Sequence, residues 1–465
     1  MRCDKSIFKA YDIRGVSGVS LTEDIFAAIG AVLARVYIAQ GQTRVAVACD
    51  GRLSSPAYKE ALIRGLVTAP VTVEDIGAVA SPVAYYRSLQ TTEGNALVIT
   101  ASHNPKDYNG LKVMVKGLPF YGDDLKQLGE DVEALDALPS QVLGRVEVDN
   151  NAERQYLEAL FSDIACERPI RVAFDCGNGI TGQIARRIFE KIGAKATGLY
   201  ETVDGRFPNH EADPSKAPNL ADLIKTVCEG DFEIGIAFDG DGDRIGVVTK
   251  AGHIIHPDRL LMLFAKDCLS REKGAKIVYD IKCSRRLTEV IEKAGGIPFM
   301  SPTGHSFIQK AVIEEKAPLG GEMSGHIFFN DARAFGFDDG MYAAARLLEI
   351  VSRCPDASAE LEGLPDAVNT PEIQIAAPDA HARVAAIQEK ARFKGNPIVR
   401  TIDGIRLDFE DGFALCRASN TTPVLVLRLE GDDRVSLLRI ARIFSEGLEP
   451  FSPGITQILE EKLCL

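Results

Sequence analysis

Three stretches of this chain repeat one pattern, an apolar run that ends in an aspartate and a polar loop: RVAVACDGR from Arg44, RVAFDCGNG from Arg171 and KIVYDIKCS from Lys276. Each is followed later by a second conspicuous loop, TASHNP at Thr100, FDGDGDR at Phe238 and LGGEMSGH at Leu319. Short continuous apolar runs read as strands buried on both faces. The segment before the first of them, TEDIFAAIGAVLARVYIAQG, places Ile25, Phe26, Ile29, Val32, Leu33 and Val36 at helical spacing and stops at Gly41. Helix alternating with buried strand predicts βαβ units and a mostly parallel sheet. The chain thus reads as three divergent copies of one α/β domain, each presenting a different loop in the same structural place. Ligands of open α/β sheets sit beyond the carboxyl ends of the strands, so three such loops can converge on one cleft.

A chain of 465 residues is too long for a single core. Polar or Pro-rich composition marks boundaries near Val148-Asp149-Asn150 and within CPDASAELEGLPDAVNTP, Cys354 to Pro371, with a further break near Ala251-Gly252. After Leu364 the pattern shifts to the alternating runs EIQIAA and FALCRASNTTPVLVLRLE and the helical stretch VSLLRIARIFSEGL, which reads as a smaller α+β domain. The expected division is 1–148, 149–253, 254–364 and 365–465.

The net charge of -13 disfavours nucleic acid and anionic membrane as partners, because both call for basic faces. An anionic ligand must therefore meet a local cluster of Lys and Arg. No apolar run has signal-peptide or membrane-spanning length, so the cytoplasm is the expected location. The ten cysteines form no C-x-x-C pair and read as reduced core thiols rather than as a disulfide framework or zinc cluster.

Four loops can carry chemistry. FDGDGDR sets Asp239, Asp241 and Asp243 at alternate positions with glycines between, so that three carboxylates can surround one hard cation. Carboxylates held that close repel strongly unless a cation neutralises them, and Mg2+ suits the donor set. An EF-hand fails because Arg244 and Lys250 stand where that loop needs glycine and glutamate. An aspartyl-phosphatase, with Asp239 as nucleophile and Asp241 as acid, fits less well because of Asp243. A solvated acidic turn is disfavoured by the apolar runs on both sides. GGEMSGH offers Glu322, Ser324 and His326 for sugar hydroxyls and a proton, although a tight turn explains it equally well. RASNTTP offers Arg417, Ser419, Asn420, Thr421 and Thr422 as a phosphate seat, or forms a polar hairpin turn. In TASHNP, Asn104-Pro105 is itself a turn signal, so Ser102 beside His103 reads first as a turn serine. Arg14, Lys112, Arg244, Lys282 and Arg285 supply cations near these loops.

Taken together and in order, AYDIRG, TASHNPKDYNGLK, DGDGDR, GGEMSGH and RASNTTP resemble the α-D-phosphohexomutase family, and within it the bacterial phosphomannomutase/phosphoglucomutase group. The resemblance covers essentially the whole chain. It implies three related mixed α/β domains and a C-terminal α+β domain around a central cleft, and reversible transfer of phosphate between C1 and C6 of mannose or glucose phosphate through a hexose 1,6-bisphosphate. It makes Ser102 a phosphoserine, with Asp239, Asp241 and Asp243 holding Mg2+ against its phosphate. Glu322 and Ser324 become sugar ligands, and Arg417, Ser419, Asn420 and Thr421 the seat of the substrate's own phosphate. Tyr11, Arg14, Lys112, Arg244, Lys282, His305 and His326 match positions lining the cleft, with Lys112, Lys282 and His326 as proton carriers. A phosphoglucosamine mutase, a metal-dependent sugar phosphatase using Ser102, and a sugar-phosphate sensor with a regulatory phosphoserine are the alternatives, and a monomer is expected.

Overall fold

The computed structural model describes residues 3–420 and 422–463, so Thr421 of the expected phosphate seat lies outside the described residues. The first unit holds strands β1 (Ile13–Val16), β2 (Arg44–Cys49), β3 (Thr72–Ala78), β4 (Ala96–Ile99), β5 (Tyr108–Val115), β6 (Leu118–Pro119) and β7 (Arg145–Val148). They form one sheet in the order β1-β5-β4-β2-β3-β7, with β6 paired to β5. In the second unit, β8 (Arg171–Asp175), β9 (Lys195–Leu199), β10 (Ile234–Phe238), β11 (Ile245–Thr249) and β12 (Ile254–Ile255) take the order β12-β11-β10-β8-β9. In the third, β13 (Lys276–Asp280), β14 (Ile297–Ser301), β15 (Leu319–Gly321) and β16 (Ile327–Phe329) take the order β14-β13-β15-β16.

One four-strand motif recurs in all three. The strand that runs into the repeated aspartate (β2, β8, β13) lies between two parallel partners, and a fourth strand returns antiparallel beside the third. The conspicuous loops are the turns β4–β5, β10–β11 and β15–β16, so each occupies the same structural place. The sheets are mixed rather than mostly parallel, because that last return is a short turn and a short turn can join only antiparallel strands.

Helices fill the layers around these sheets. The helix Glu23–Ala39 starts at Thr22, whose hydroxyl accepts from the Ile25 N–H, and carries Glu23 and Asp24 in its first turn, where the helix dipole favours negative charge. It packs on the helix Ser55–Leu66 so closely that a Cβ at Gly30 or Gly65 would lie 2.2 or 2.0 Å from a carbonyl oxygen of the facing helix. The helix Gly340–Val351 is buried along its whole length and belongs to an apolar core that runs continuously through the first three units.

The fourth unit is an antiparallel sheet of β17 (Val368–Asn369), β18 (Ile373–Ala376), β19 (Ile398–Arg400), β20 (Ile405–Phe409), β21 (Gly412–Ala418) and β22 (Val424–Gly431), in the order β17-β22-β21-β20-β19 with β18 also on β22. The helices Ala380–Lys390 and Arg434–Leu448 cover it and give it a core of its own. Alternating sequence predicts one solvated face, yet β21 is buried at every position. The third unit covers the second face: Phe413 and Leu415 pack on Ile281, and Arg406 donates to the carbonyls of Ile281 at 2.5 Å and Cys283 at 2.8 Å. Among the described residues the cysteines are free thiols, and no helix is long and apolar enough to cross a membrane.

Candidate active site

The serine loop and the aspartate loop are built against each other. Ser102 takes a left-handed backbone conformation, φ 50°, which costs energy for a non-glycine residue and needs outside support. Its N–H donates to Thr100 Oγ1 at 2.8 Å, and its hydroxyl donates to Asp239 Oδ2 at 2.6 Å. His103 Nδ1 lies 3.1 Å from the same hydroxyl. Arg14 ties the loop from β1, donating to the Ala101 carbonyl at 3.2 Å and to Asn104 Oδ1. Two glycines of the aspartate loop are required here: a Cβ at Gly240 would sit 2.5 Å from the Ser102 carbonyl oxygen, and Gly242 has φ 82°.

Asp239, Asp241 and Asp243 are wholly buried and bring carboxylate oxygens within 4.8 Å of one another. Asp239 Oδ1 accepts from the N–H groups of Gly242 and Arg244. Lys112, on β5, donates to Asp241 Oδ2 at 2.7 Å and to Asp243 Oδ2. Ser81, at the start of the helix Ser81–Thr91, donates its hydroxyl to Asp241 at 2.6 Å. Burial and the charges of Asp243 and Asp241 push the Asp239 carboxyl well up. Against the same burial, Lys112 and His326 hold Asp243 well below the usual carboxylate range. Asp241 Oδ1 is buried and accepts no hydrogen bond from any described residue, and Asp243 Oδ1, also buried, has only His326 Nε2 beside it, at 3.2 Å. A buried carboxylate oxygen left without a donor, in a cluster of three carboxylates, is a donor set for a hard cation, so the triad fits a metal.

The third loop faces the triad. His326 has Nδ1 3.0 Å from Glu322 Oε2 and Nε2 3.2 Å from Asp243 Oδ1. Burial and Arg244, whose Nε is 3.2 Å from Nε2, oppose a proton on this ring, but Asp243 and Glu322 outweigh them and raise its pKa to about 9. His305 goes the other way: burial and the neighbouring His326 and Lys112 depress it to about 3, leaving it neutral. His103 is also neutral, pushed well down by burial and by Arg244 and Arg14. Glu322 Oε2 accepts from Ser324 Oγ at 2.8 Å, while Oε1 accepts from the Gly304 N–H. Asp338, near the same cluster, is driven to about 7 by burial and Asp243.

At the far end stands the fourth-unit loop. Arg417 Nε donates to Asp403 Oδ2 at 2.9 Å, whereas its Nη2 is buried and donates to no described residue. Ser419 and Asn420 follow it; Asn420 Nδ2 donates to Tyr11 Oη, which itself donates to the Thr303 carbonyl at 2.7 Å. Lys282 pairs with Glu372 Oε1 at 2.9 Å. A cleft of about 650 Å³ runs between the two ends, lined by residues of all four units. Its cations Lys9, Arg14, Arg244, Lys282 and Arg417 outnumber its carboxylates Asp12, Glu322 and Glu372, which gives an acidic protein a locally cationic cleft. Ser102 and the triad lie under its floor, next to His103, Arg244 and His326, which line it.

The structure thus brings the described candidate residues to one cleft or to the layer beneath it, except Arg285, which pairs instead with Glu289 and Asp432. Sequence reasoning missed Ser81, Asp338, Glu372 and Asp403. Ser81 opens a helix with Pro82 in the first turn, which reads as an ordinary helix start; Asp338, Glu372 and Asp403 are acids outside any motif, and the Lys282 partner of Glu372 lies far along the chain.

A buried hydroxyl set against paired carboxylates and cations, with a separate arginine-centred anion seat across the cleft, suits one class of protein, a phosphoryl-transfer enzyme acting on a doubly anchored small substrate. Comparison with known proteins narrows the class. Four profiles of phosphoglucomutase/phosphomannomutase match: alpha/beta/alpha domain I over residues 5–138, domain II over 154–252, domain III over 256–367 and the C-terminal domain over 372–446. The chain is 47% identical over 447 residues to the phosphomannomutase/phosphoglucomutase of Pseudomonas aeruginosa, covering 96% of each. It is 45% identical over 448 residues to a phosphoglucomutase of Neisseria meningitidis, covering 96% of this chain and 97% of that one. A crystal structure of a phosphoglucomutase/phosphomannomutase family protein from Burkholderia thailandensis superposes with a TM-score of 0.92 at 46% identity, over 97% of this chain and 99% of that one. The chain belongs to the phosphoglucomutase/phosphomannomutase family.

Proposed function

We propose that this phosphohexomutase moves phosphate reversibly between C1 and C6 of a hexose phosphate, with Ser102 as the phosphoryl carrier. The observation that carries the reading is the pairing of two anion positions on one cleft: the Ser102 hydroxyl 2.6 Å from Asp239, and the buried Nη2 of Arg417, which has no partner among the described residues. In the cycle, phosphoserine 102 gives its phosphoryl group to the free hydroxyl of a bound hexose monophosphate. The resulting hexose 1,6-bisphosphate, which also primes the enzyme, turns over in the cleft, and its other phosphate returns to Ser102.

Asp239, Asp241 and Asp243, with the phosphate on Ser102, would hold Mg2+, which when bound neutralises phosphoryl charge and acts as a Lewis acid. The protein's own groups do the rest. Arg417, Ser419 and Asn420, with Thr421, seat the non-reacting phosphate, while Glu322 and Ser324 orient sugar hydroxyls. Tyr11 and Arg14 fix the loops around them, and Arg244 faces the transferring group with positive charge. His326, protonated near neutrality between Asp243 and Glu322, is the best placed proton carrier. Lys112 is held charged by Asp241 and Asp243, which raise its pKa well above normal despite burial. That placement favours charge stabilisation over proton transfer, and Lys282 with neutral His305 serves the opposite side of the sugar.

The relatives are named for glucose and for mannose, and phosphates of both are the proposed substrates. Net charge -13 and the free thiols among the described residues support a cytoplasmic enzyme without nucleic-acid or membrane partners, and the monomer that the family resemblance implies is retained in this reading. The test is to incubate the protein with Mg2+, a trace of hexose 1,6-bisphosphate and, separately, mannose, glucose and glucosamine 1-phosphates. Formation of 6-phosphate from the first two is expected; failure with all three sinks the assignment.

A further inference from the structure

Arg52 follows the first repeated aspartate, on the loop after β2, and neither its guanidinium nor Asp50 meets solvent or substrate: their side chains are 1% and 2% exposed. A guanidinium has five N–H donors in a rigid fork, and here all five are used. Nε donates to Asp50 Oδ2 at 3.1 Å. Nη2 donates to the carbonyls of Ser102 and Asn104, both at 2.7 Å, and Nη1 to those of Pro105 at 2.7 Å and Tyr108 at 3.0 Å. Four of the five bonds therefore land on the single segment 102–108. Asp50 is fixed in turn by the Ser55 hydroxyl at 2.5 Å and the Arg52 N–H at 3.0 Å.

The same guanidinium touches the second unit. Phe207 lies over it, with the guanidinium carbon 5.1 Å from the ring centroid, and Gly205 approaches so closely that a Cβ would sit 2.8 Å from Arg52 Cα. The Ser102 carbonyl that Arg52 holds is also the atom that excludes a side chain at Gly240 in the aspartate loop. One buried ion thus fixes both the left-handed turn at Ser102 and the approach of the loop that carries the triad.

We propose that Arg52 is the positioning residue of the phosphoryl carrier: it pins the 102–108 loop so that the Ser102 hydroxyl stays in register with Asp239. The inference rests on the mutase reading of Ser102. Lysine keeps the charge opposite Asp50 but has three donors and no fork, so it cannot hold four carbonyls.

The test compares wild type, Arg52→Lys and Phe207→Leu by kcat and KM for α-D-glucose 1-phosphate and α-D-mannose 1-phosphate, and by amide hydrogen exchange across residues 100–110. For Arg52→Lys, kcat falls about 100-fold, the scale of a small misplacement of a reacting group, while KM changes less than about threefold. Exchange quickens in 100–110 and not in β13 or β21. Phe207→Leu moves kcat in the same direction by about threefold, a lost cation–π contact, and carries the test if Arg52→Lys does not fold. Wild-type kcat with unchanged exchange in 100–110, or exchange rising throughout the chain with kcat and KM shifting together, overturns the inference. If wild type turns over neither sugar phosphate, the mutase reading fails, and exchange in 100–110 alone decides whether Arg52 holds the loop.

Discussion

At one end of the cleft, Ser102 and the three aspartates are at most 1% exposed, and each is gripped by groups from another unit: Ser81 and Lys112 of the first reach Asp241 of the second, and His326 of the third reaches Asp243. At the other end, Ser419 and Asn420 are half-buried, and Arg417 keeps a donor that no described residue accepts. One apolar core runs through the first three units, the first of which also has a second core, whereas the fourth has its own and meets the third through apolar contact at Ile281 and through polar contacts such as Arg406 to Cys283, Arg428 to Lys282, Lys282 to Glu372 and Thr303 to Asp403. Where the geometry must be held to a few tenths of an ångström the units are fused. Where one phosphate must be accepted in two orientations of the sugar, the holder rests on a unit with a core of its own. Changes at the fused end should therefore strike kcat, and changes at the fourth-unit end should strike KM.

The largest effect belongs to Ser102→Ala, which removes the carrier; steady-state assay should show kcat down by roughly 10⁴-fold or more with the fold intact by circular dichroism. Next comes the triad. Asp241→Asn should lower kcat by roughly 10²- to 10³-fold, the scale of losing one preorganised electrostatic group. EDTA treatment of the wild type should abolish turnover, and added Mg2+ should restore it. At the opposite end, Arg417→Ala should raise KM by about 10- to 100-fold through loss of a charge-assisted phosphate contact, with kcat changed far less. A comparable loss of kcat in Arg417→Ala would erase the distinction between the two ends. The smallest effect is Tyr11→Phe, which deletes the hydroxyl between Thr303 and Asn420: a net hydrogen bond of about 1 kcal/mol, or about fivefold in KM.

The features legible in the sequence are those written locally. Repeated strands ending in aspartate, glycine spacing around Asp239, Asp241 and Asp243, and turn residues around Ser102 each follow from a few adjacent residues, and the structure sets their loops in equivalent turns of three related sheets. What stayed hidden depends on contacts between distant segments. Arg52 reads as a polar residue after a strand, because the carbonyls it serves lie about fifty residues on. Glu372 acquires meaning only when the fourth unit folds back to set it beside Lys282, and Asp403 only when its turn meets Arg417 on β21 and the Thr303 N–H of the third unit. The burial of both faces of β21 is invisible for the same reason, since its cover comes from the third unit. Lys112 was legible as a cation near the serine, but the carboxylates that hold it charged come from another unit.

The most direct test of Ser102 as carrier is a single-turnover transfer: protein bearing radiolabelled phosphate on Ser102 is mixed with Mg2+ and unlabelled glucose 1-phosphate, and the products are separated. The label should appear in glucose 1,6-bisphosphate and then in glucose 6-phosphate at a rate no slower than kcat. Label retained on the protein through many turnovers, or released as inorganic phosphate in step with substrate loss, would contradict it.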